Sequence, residues 1–316
     1  MKNPFPYSDS NKRYYTMDYY GKRTFGCKVY KVPLDAGFTC PNIDGTCGVG
    51  GCTYCSGRGS GDFAPSHLLP IAEQYAISRK QFEGKWREGK CMPYFQAHTN
   101  TYAPVSLLRP LFEEALTLPD AVGLDIATRA DCLDGEVVEL LHSLAERTHL
   151  TVELGLQTVH DETAKRINRG HDFDTFLKGY EKIRDLNVTV HLIDYLPGED
   201  HAMMLESARE VAKLDPFGVK LHLLYIMKGT AIAEEYAHGE VYIPTCEEYV
   251  GTVCDQLELL PPTTVIGRVT GDAPGDSLIA PLWSRKKVTV LNEIDKELAK
   301  RDSWQGKFVE NTQKRR

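Results

Sequence analysis

Short runs of β-branched and aromatic residues alternate with longer helical patterns from about residue 26 onward. This alternation is typical of βα units that build a parallel sheet. Six such units predict an α/β fold, namely a partial (βα)6 TIM-like barrel that is open on one side and can admit a large substrate. We predict its strands at 28–32, 92–96, 123–127, 150–154, 188–193 and 218–224, and its helices at 72–86, 105–115, 136–146, 162–166, 173–186, 202–214 and 230–238.

The same pattern divides the chain into three parts. We predict an N-terminal extension over residues 1–25, the partial barrel over 26–240 and a C-terminal accessory segment over 241–316. In the last part Pro261 and Pro262 interrupt the alternation, and we expect one more strand at 265–270 and an amphipathic helix at 290–301. The pattern leaves the role of this segment open.

Residues capable of chemistry follow the ends of the predicted strands, where barrel enzymes carry their active sites. Side chains of this kind occur from Gln96 to Asn100 after the second strand and at Gln157 after the fourth. Lys220 and His222 alternate within the sixth strand, so both could face the barrel interior. For His222, a hydrogen-bonded position in the core is the simpler expectation.

Four cysteines lie in one glycine-rich loop after the first predicted strand: Cys40, Cys47, Cys52 and Cys55. Thiolates bind soft metals, and Cys52 and Cys55 can hold one metal unit from a single turn. If all four bind, the loop is a structural zinc site, although zinc ribbons usually carry two Cys-x-x-Cys pairs rather than one. If three bind, the site can hold a [4Fe–4S] cluster with one iron open to another ligand.

Composition limits the classes of protein to which this chain can belong. No stretch approaches the ~20 apolar residues of a membrane helix. The N-terminus shows no apolar secretion signal, so we expect a protein of the reducing cytoplasm, without disulfides and with its five scattered cysteines buried as small apolar side chains. A net charge of −7 argues against a surface uniformly basic for nucleic acid, although local basic clusters occur at 12–13, 22–23, 285–287 and 314–316.

Several short motifs occur along the chain: NPFPY at 3–7, CPN at 40–42, GGCTYCS at 50–56, GSGDFA at 59–64, YFQA at 94–97, TN at 99–100, VELGLQTVH at 152–160, INRGHD at 167–172 and GKF at 306–308. Together they resemble the YhcC/YtqA-type branch of the radical S-adenosylmethionine superfamily, which is similar to the catalytic subunit of Elongator. The resemblance covers nearly the whole chain. It departs at Ala130, where a proline is expected, and at Tyr195, where a glycine is expected and where we predict that the tyrosine narrows the pocket.

The resemblance implies two cofactors, a [4Fe–4S] cluster and S-adenosylmethionine. Its long cysteine spacing favours Cys40, Cys52 and Cys55 as the cluster ligands, because a set beginning at Cys47 matches this branch less well. It further implies that the amino and carboxylate groups of S-adenosylmethionine chelate the open iron. Reduction of the cluster then cleaves the cofactor to methionine and a 5'-deoxyadenosyl radical.

Eight further residues are implied as cofactor contacts, and the first six have a structural alternative. In chain order they are Tyr54, Gln96, Thr99, Asn100, Arg129, Asp131, Glu153 and Gln157. The tyrosine would bring its backbone to the adenine or serve as a core aromatic residue. The next three would accept the amino group of the methionine part or cap their loop. The arginine and the aspartate would contact the carboxylate and ribose or pair with each other, and the last two flank a glycine that permits close approach.

The YtqA-like relatives imply tRNA as the substrate. The reaction would remove the carboxymethyl part of 5-carboxymethylaminomethyl-(2-thio)uridine at the wobble position, through hydrogen abstraction beside the nitrogen, oxidation to an imine and hydrolysis. The implied partners are a one-electron reductant such as flavodoxin or ferredoxin and a downstream tRNA methyltransferase. We expect a flipped base, and phosphate contacts from the clusters at 12–13 and 22–23. A radical enzyme for a small metabolite or peptide and a zinc-stabilised binding protein are the alternatives.

Overall fold

The computed structural model describes residues 5, 7–81, 89–272 and 275–309. Parts of three predictions lie outside these residues. They are residues 3, 4 and 6 of the first motif, the end of the helix predicted at 72–86, and the basic cluster at 314–316.

Nine strands occur in the described residues, and seven of them form one parallel sheet. The strands are β1 Val29–Leu34, β2 Lys90–Phe95, β3 Gly123–Thr128, β4 His149–Gln157, β5 Asn187–Asp194, β6 Gly218–Leu223, β7 Ile226–Met227, β8 Val265–Arg268 and β9 Leu278–Ala280. The sheet order is β1-β2-β3-β4-β5-β6-β8, and β7 pairs with β9 separately. Side chains of β1 and β6 both reach Glu153 of β4, which requires the sheet to curl into a half-barrel. The predicted partial barrel is confirmed, and the strand expected at 265–270 joins its edge.

Ten α-helices cover the described part of the chain: α1 Met17–Phe25, α2 Ile71–Lys80, α3 Val105–Leu116, α4 Gly135–Ala145, α5 Asp161–Arg166, α6 Phe173–Glu181, α7 His201–Lys213, α8 Ala231–Ala237, α9 Cys246–Leu259 and α10 Lys287–Lys300. The sequence pattern missed α1 and α9. The helix predicted at 173–186 ends early, because its last residues form tight turns that lead into β5. Within the described residues, no helix has the length and apolar character needed to span a bilayer.

The hydrophobic core lies between the sheet and the helices on its outer face. In β1, Tyr30 and Val32 are buried toward the helices, whereas Lys31 between them faces the inside of the barrel. Helix α4 meets the sheet with Leu140 and Leu144, which lie on one face at helical spacing. Burying a side chain of this size contributes ~1.5–3 kcal/mol. Apolar contacts therefore hold the outer face and leave the inner face for polar groups.

Helix α1 covers the amino ends of the strands. Thr16 caps its start by accepting a hydrogen bond from the first turn, and Gly26 ends it with a φ of 73°. The ring of Tyr20 lies 5.8 Å from that of His149, the first residue of β4, and 5.0 Å from that of Phe217, just before β6. The N-terminal part of the chain thus lies at the end of the barrel opposite the cysteine loop.

Candidate functional site

One large cavity lies inside the half-barrel and extends to the loops at the carboxyl ends of its strands. Its volume is about 1240 Å³. The cysteine loop forms one wall, and the strands β1 to β6 and β8 form the others. Nine of the residues predicted from the sequence line it: Cys40, Cys52, Tyr54, Cys55, Gln96, Thr99, Arg129, Glu153 and Gln157.

Three thiols of the cysteine loop face this cavity. The hydroxyl of Thr99 donates a hydrogen bond to Cys40 Sγ over 3.1 Å, and the Asn42 amide donates to Cys52 Sγ over 3.3 Å. Burial, together with the neighbouring Cys52 and Cys40, raises the pKa of the Cys55 thiol to about 12. Because Cys55 lies close to both Cys52 and Cys40, the three sulfur atoms form one group.

Cys47 lies apart from that group. It is exposed and does not line the cavity. Its Sγ lies 3.7 Å from Arg129 Nη2. Burial raises the pKa of its thiol, and the Arg129 charge opposes this. The fold therefore separates Cys47 from Cys40, Cys52 and Cys55.

The turn after α5 positions the cysteine loop. The side-chain amide of Asn168 donates to the carbonyl oxygens of Val49 and Gly51 over 2.8 and 2.7 Å. The carbonyl oxygen of Asn168 accepts a hydrogen bond from Asn42 Nδ2 over 2.8 Å. Asn168 has a φ of 53°, a conformation that asparagine tolerates better than most residues. Neutral hydrogen bonds thus define the path of the loop.

Arg129 and Asp131 form a bidentate ion pair. Arg129 Nε and Nη2 lie 2.9 and 2.7 Å from the two carboxylate oxygens. Arg129 Nη1 also donates to the carbonyl oxygen of Arg169 over 2.8 Å. The structure thus shows the pairing alternative, and Asp131 does not line the cavity. Arg129 itself does line it, beside the cysteine loop.

The polar residues of the loop after β2 have two different roles. Asn100 is fully buried, and its Nδ2 donates to the carbonyl oxygens of Phe95, Ala97 and Ala127 over 3.0–3.1 Å. It caps the loop, as its structural alternative predicted, and it does not line the cavity. Gln96 and Thr99 of the same loop do line the cavity.

The end of β4 is irregular where it reaches the cavity. Its register with β5 shifts between Gly155 and Gln157, and Gln157 has a φ of 79°. A Cβ on Gly155 would lie 2.7 Å from Gln157 Nε2 and 3.1 Å from Arg169 Nη2. Only glycine lets these side chains lie over the backbone. Tyr54 also lines the cavity, and it packs into a small apolar cluster with Ile167.

Glu153 is the centre of a polar network in the barrel interior. Its carboxylate accepts hydrogen bonds from Lys31, from Lys220 and the Tyr94 hydroxyl at 2.5 Å each, and from His191 at 3.0 Å. Burial by itself would raise the pKa of Glu153, but the Lys220 and Lys31 charges hold it well below its usual range. Both carboxylate oxygens are thus engaged by the protein's own side chains.

Two expectations about individual residues are wrong. Tyr195 does not line the cavity, because its hydroxyl lies 2.9 Å from Thr252 Oγ1 of α9. Its φ of 64° explains why a glycine suits this position. His222 is not a hydrogen-bonded core residue, since its buried Nε2 has no partner in the described part of the chain.

Several residues of the site were not identified as such from the sequence. Asn42, Asn168 and Arg169 stand within the quoted motifs, which was the available signal. Lys31 and His191 are polar residues at alternate positions of otherwise apolar strands. That alternation indicates a polar inner face but not the partner of each side chain.

The basic clusters differ in their distance from the cavity. Those at 12–13 and 22–23 belong to the N-terminal part that covers the opposite end of the barrel, where Lys12 pairs with Asp295 and Lys22 with Asp18. In the cluster at 285–287, Lys287 lies 2.5 Å from Asp272, which lines the cavity. The predicted phosphate contacts at 12–13 and 22–23 are therefore remote from the site.

The thiol set fits an iron–sulfur cluster. Among the described residues, no three His, Cys, Asp or Glu side chains are grouped as ligands of a single metal ion. In a [4Fe–4S] cluster each thiolate binds a different iron, so its ligands surround a larger body than one ion. Three thiols on one wall of a deep cavity supply such a donor set and leave one iron to a ligand from the cavity.

Comparisons with known proteins show the family of this chain. Residues 45–211 match the Radical SAM superfamily, and residues 216–300 match the Radical_SAM C-terminal domain. The chain is 50% identical to the uncharacterized protein YtqA of Bacillus subtilis (strain 168), over 98% of this chain and 97% of that protein. It is 28% identical to a tRNA uridine(34) acetyltransferase of Methanocaldococcus jannaschii, over 50% of this chain and 30% of the other.

Among solved structures, the archaeal Methanocaldococcus infernus Elp3 with an N-terminal deletion superposes with a TM-score of 0.66 at 20% identity. The match covers 88% of this chain and 64% of that one, and it supports the fold. The chain belongs to the radical S-adenosylmethionine superfamily, in the branch of the YhcC/YtqA-type proteins, and this superfamily uses a [4Fe–4S] cluster and S-adenosylmethionine.

Proposed function

We propose that this enzyme acts on the wobble uridine of tRNA and removes the carboxymethyl part of 5-carboxymethylaminomethyl-(2-thio)uridine, leaving 5-aminomethyl-(2-thio)uridine. The observation that carries the proposal is the cavity of about 1240 Å³. A site for one small ligand typically measures ~300–1,000 Å³, so this cavity has room for a cofactor and a nucleoside together. The similarity to a tRNA uridine(34) acetyltransferase favours a wobble base, which would enter flipped out of its stack.

In this proposal Cys40, Cys52 and Cys55 hold the cluster, and S-adenosylmethionine lies beside it in the cavity. When bound, the two cofactors supply the 5'-deoxyadenosyl radical that takes a hydrogen atom from the substrate. The protein's part is to bind and orient. Thr99 and Asn42 donate hydrogen bonds to two of the ligand sulfurs, and such bonds tune the potential of a cluster.

The cofactor contacts follow from the residues that line the cavity. Gln96 offers an amide oxygen next to Thr99, suited to the amino group of the methionine part. Tyr54 and Gln157 add further backbone and side-chain groups that line the cavity. Arg129 can contact the cofactor carboxylate only while it remains paired with Asp131.

For tRNA phosphates we propose the cluster at 285–287, because Lys287 adjoins the cavity through Asp272. Lys287→Gln should weaken tRNA binding and reduce its salt dependence, whereas Lys22→Gln should leave both the binding and its salt dependence unchanged. We further propose a cytoplasmic reaction with flavodoxin or ferredoxin as the reductant and a tRNA methyltransferase downstream.

One observation favours a second candidate, a radical enzyme for a small metabolite or peptide. The net charge is −7, and the clusters at 12–13 and 22–23 are paired with carboxylates far from the site. A small substrate would need no extended basic surface. This candidate predicts cleavage of S-adenosylmethionine without salt-sensitive binding of tRNA.

The test of the proposed function is direct. The protein, loaded with its cluster without oxygen, is reduced and incubated with S-adenosylmethionine and tRNA that carries the carboxymethylaminomethyl group. Nucleoside mass spectrometry should show conversion to the 5-aminomethyl form, and a Cys52→Ala/Cys55→Ala variant should show none. Formation of 5'-deoxyadenosine with unchanged tRNA would instead favour the small-substrate candidate.

A further inference from the structure

The inner end of the cavity is formed by polar residues on β4, β5, β6, β8 and β1. Lys220 and Arg268 stand opposite each other in the register of β6 and β8, and His222 lies on the same side of β6 as Lys220. All three line the cavity. Gly267 makes room for them, because a Cβ there would lie 3.1 Å from Lys220 Cγ.

This corner holds more hydrogen-bond donors than the protein satisfies. His222 Nε2 is buried without a partner among the described residues. Within the same residues the side chain of Arg268, which is 33% exposed, makes no hydrogen bond, and its one ion pair is a distant contact of 3.7 Å with Asp272, which lies 2.5 Å from Lys287. Unsatisfied buried donors cost free energy unless a ligand accepts from them.

The charged side chains around Lys220 and Arg268 also favour a bound acceptor. The single carboxylate of Glu153 serves both Lys31 and Lys220, and it also accepts from two uncharged side chains. Asp125, the other buried carboxylate nearby, pairs with Lys31 on the side of a smaller cavity. Burial lowers the pKa of Lys220 to about 7, and the Lys31 and Arg268 charges add to this. Lys220 is bonded to Glu153, whereas Arg268 has Asp272 only at 3.7 Å, so an anion bound between the two cations would give Arg268 a closer partner.

We propose that Lys220, His222 and Arg268 form a carboxylate-binding subsite, which receives the carboxymethyl group of the substrate. The identity of this carboxylate rests on the proposed function. Since the product lacks the carboxylate, the same subsite explains how the enzyme distinguishes substrate from product. The residues are binding residues, and their contribution is to affinity for the carboxylate rather than to the radical chemistry.

The experiment compares two nucleosides that share the secondary amine and differ in the carboxylate: 5-carboxymethylaminomethyluridine and 5-methylaminomethyluridine. Each is titrated by calorimetry into cluster-loaded enzyme with S-adenosylmethionine and without reductant, so that no turnover occurs. Charge-assisted hydrogen bonds predict that the wild type binds the carboxylated nucleoside roughly 10-fold more tightly. Arg268→Gln should abolish this preference and Arg268→Lys should keep most of it. Lys220→Met should also reduce it, provided that this variant folds.

Equal binding of the two nucleosides by the wild type, or an unchanged preference in Arg268→Gln, overturns the subsite. If Arg268→Gln instead weakens S-adenosylmethionine itself, the anion is the cofactor carboxylate and the subsite is again wrong. Phosphate cannot account for a preference, because neither nucleoside carries one. The subsite and the proposed function fail separately. A preference lost in Arg268→Gln supports the subsite even if tRNA is not converted, and conversion without any preference removes the subsite alone.

Discussion

The cysteine loop and the barrel interior face the same cavity, but different forces hold them. Asn168 and Asn42 hold the loop through neutral hydrogen bonds to its backbone and to one sulfur. The interior is held by buried charges, with Lys31 and Lys220 on the two oxygens of Glu153. Neutral bonds let a loop adjust to a cofactor at small cost, whereas buried ion pairs fix the side chains of several strands.

The difference teaches how this fold separates binding from support. The loop carries the proposed cluster ligands and can be disturbed locally. In the interior, the carboxylate of Glu153 connects β1, β4, β5 and β6. A change of this carboxylate should therefore alter the stability of the whole sheet. Three substitutions measure this difference: Glu153→Gln in the interior, Asp194→Asn at the end of β5, and Asn168→Gly in the turn that supports the loop.

The largest effect is expected from Glu153→Gln. The change removes the carboxylate that Lys31 and Lys220 share. Lys31 keeps its pair with Asp125, whereas the buried Lys220 loses Glu153, and breaking such a buried pair costs ~3–5 kcal/mol. Urea unfolding at neutral pH measures it. Glu162→Gln is the matched control, because Glu162 and its partner Lys165 are exposed, and such a pair contributes about 0–1 kcal/mol. A loss in Glu153→Gln no larger than in the control would refute a structural role for the network.

Asp194→Asn should have an intermediate effect of opposite sign. Asp194 is buried and has no cationic partner among the residues that the structure describes, and its Oδ1 accepts a hydrogen bond from Gln256 Nε2 over 2.6 Å. Burial raises the pKa of Asp194 to about 7 from 3.8, so its favourable contribution is present at low pH and is lost as the pH rises through 7.

The asparagine variant should therefore be more stable than the wild type at pH 8, by roughly 2–4 kcal/mol, and this advantage should shrink by roughly 2 kcal/mol at pH 5, where the aspartate is protonated in the folded protein but still ionised in the unfolded chain. Urea unfolding at both pH values measures this, with Glu199, the other nearby carboxyl, unchanged in each protein. The same difference at both pH values would show that Asp194 does not titrate in this way.

The smallest effect on global stability is expected from Asn168→Gly in the loop support. Glycine keeps the φ of 53° while removing two hydrogen bonds to the loop, a loss of ~1–3 kcal/mol that is confined to the loop. Hydrogen exchange of the loop amides should rise and iron incorporation should fall, with little change in urea unfolding. Asp215→Gly, at an exposed turn with a φ of 50°, is the matched control. Equal exchange in the two variants would argue against this support.

Much of the fold could be predicted from the sequence, because each strand is a local apolar run and each helix follows with its own periodicity. Helix α9 was missed although Thr245 and Glu248 form a capping box that the sequence displays. Helix α1 was also missed, although Thr16 and Gly26 mark its two ends in the sequence, and its packing depends on contacts of Tyr20 with His149 and Phe217 far along the chain.

The candidate site could be predicted in part. The cysteines are a local motif, and the loop residues follow strand ends. The partners of Glu153 could not be predicted, since Lys31 lies 122 residues away in sequence and the contact depends on the register of several strands. For the same reason the sequence left the Arg129–Asp131 pair as one of two alternatives. Its geometry follows from the buried position of Arg129 against Arg169.

The most direct test of the account compares Cys40→Ala with Cys47→Ala, because the two thiols share one loop and only Cys40 faces the cavity. Iron content and 5'-deoxyadenosine formation are measured after identical anaerobic loading and reduction. We expect Cys47→Ala to match the wild type and Cys40→Ala to lose activity by at least about 100-fold, as for a lost ligand. Loss of the cluster in Cys47→Ala with activity retained in Cys40→Ala would contradict the assignment of Cys40, Cys52 and Cys55.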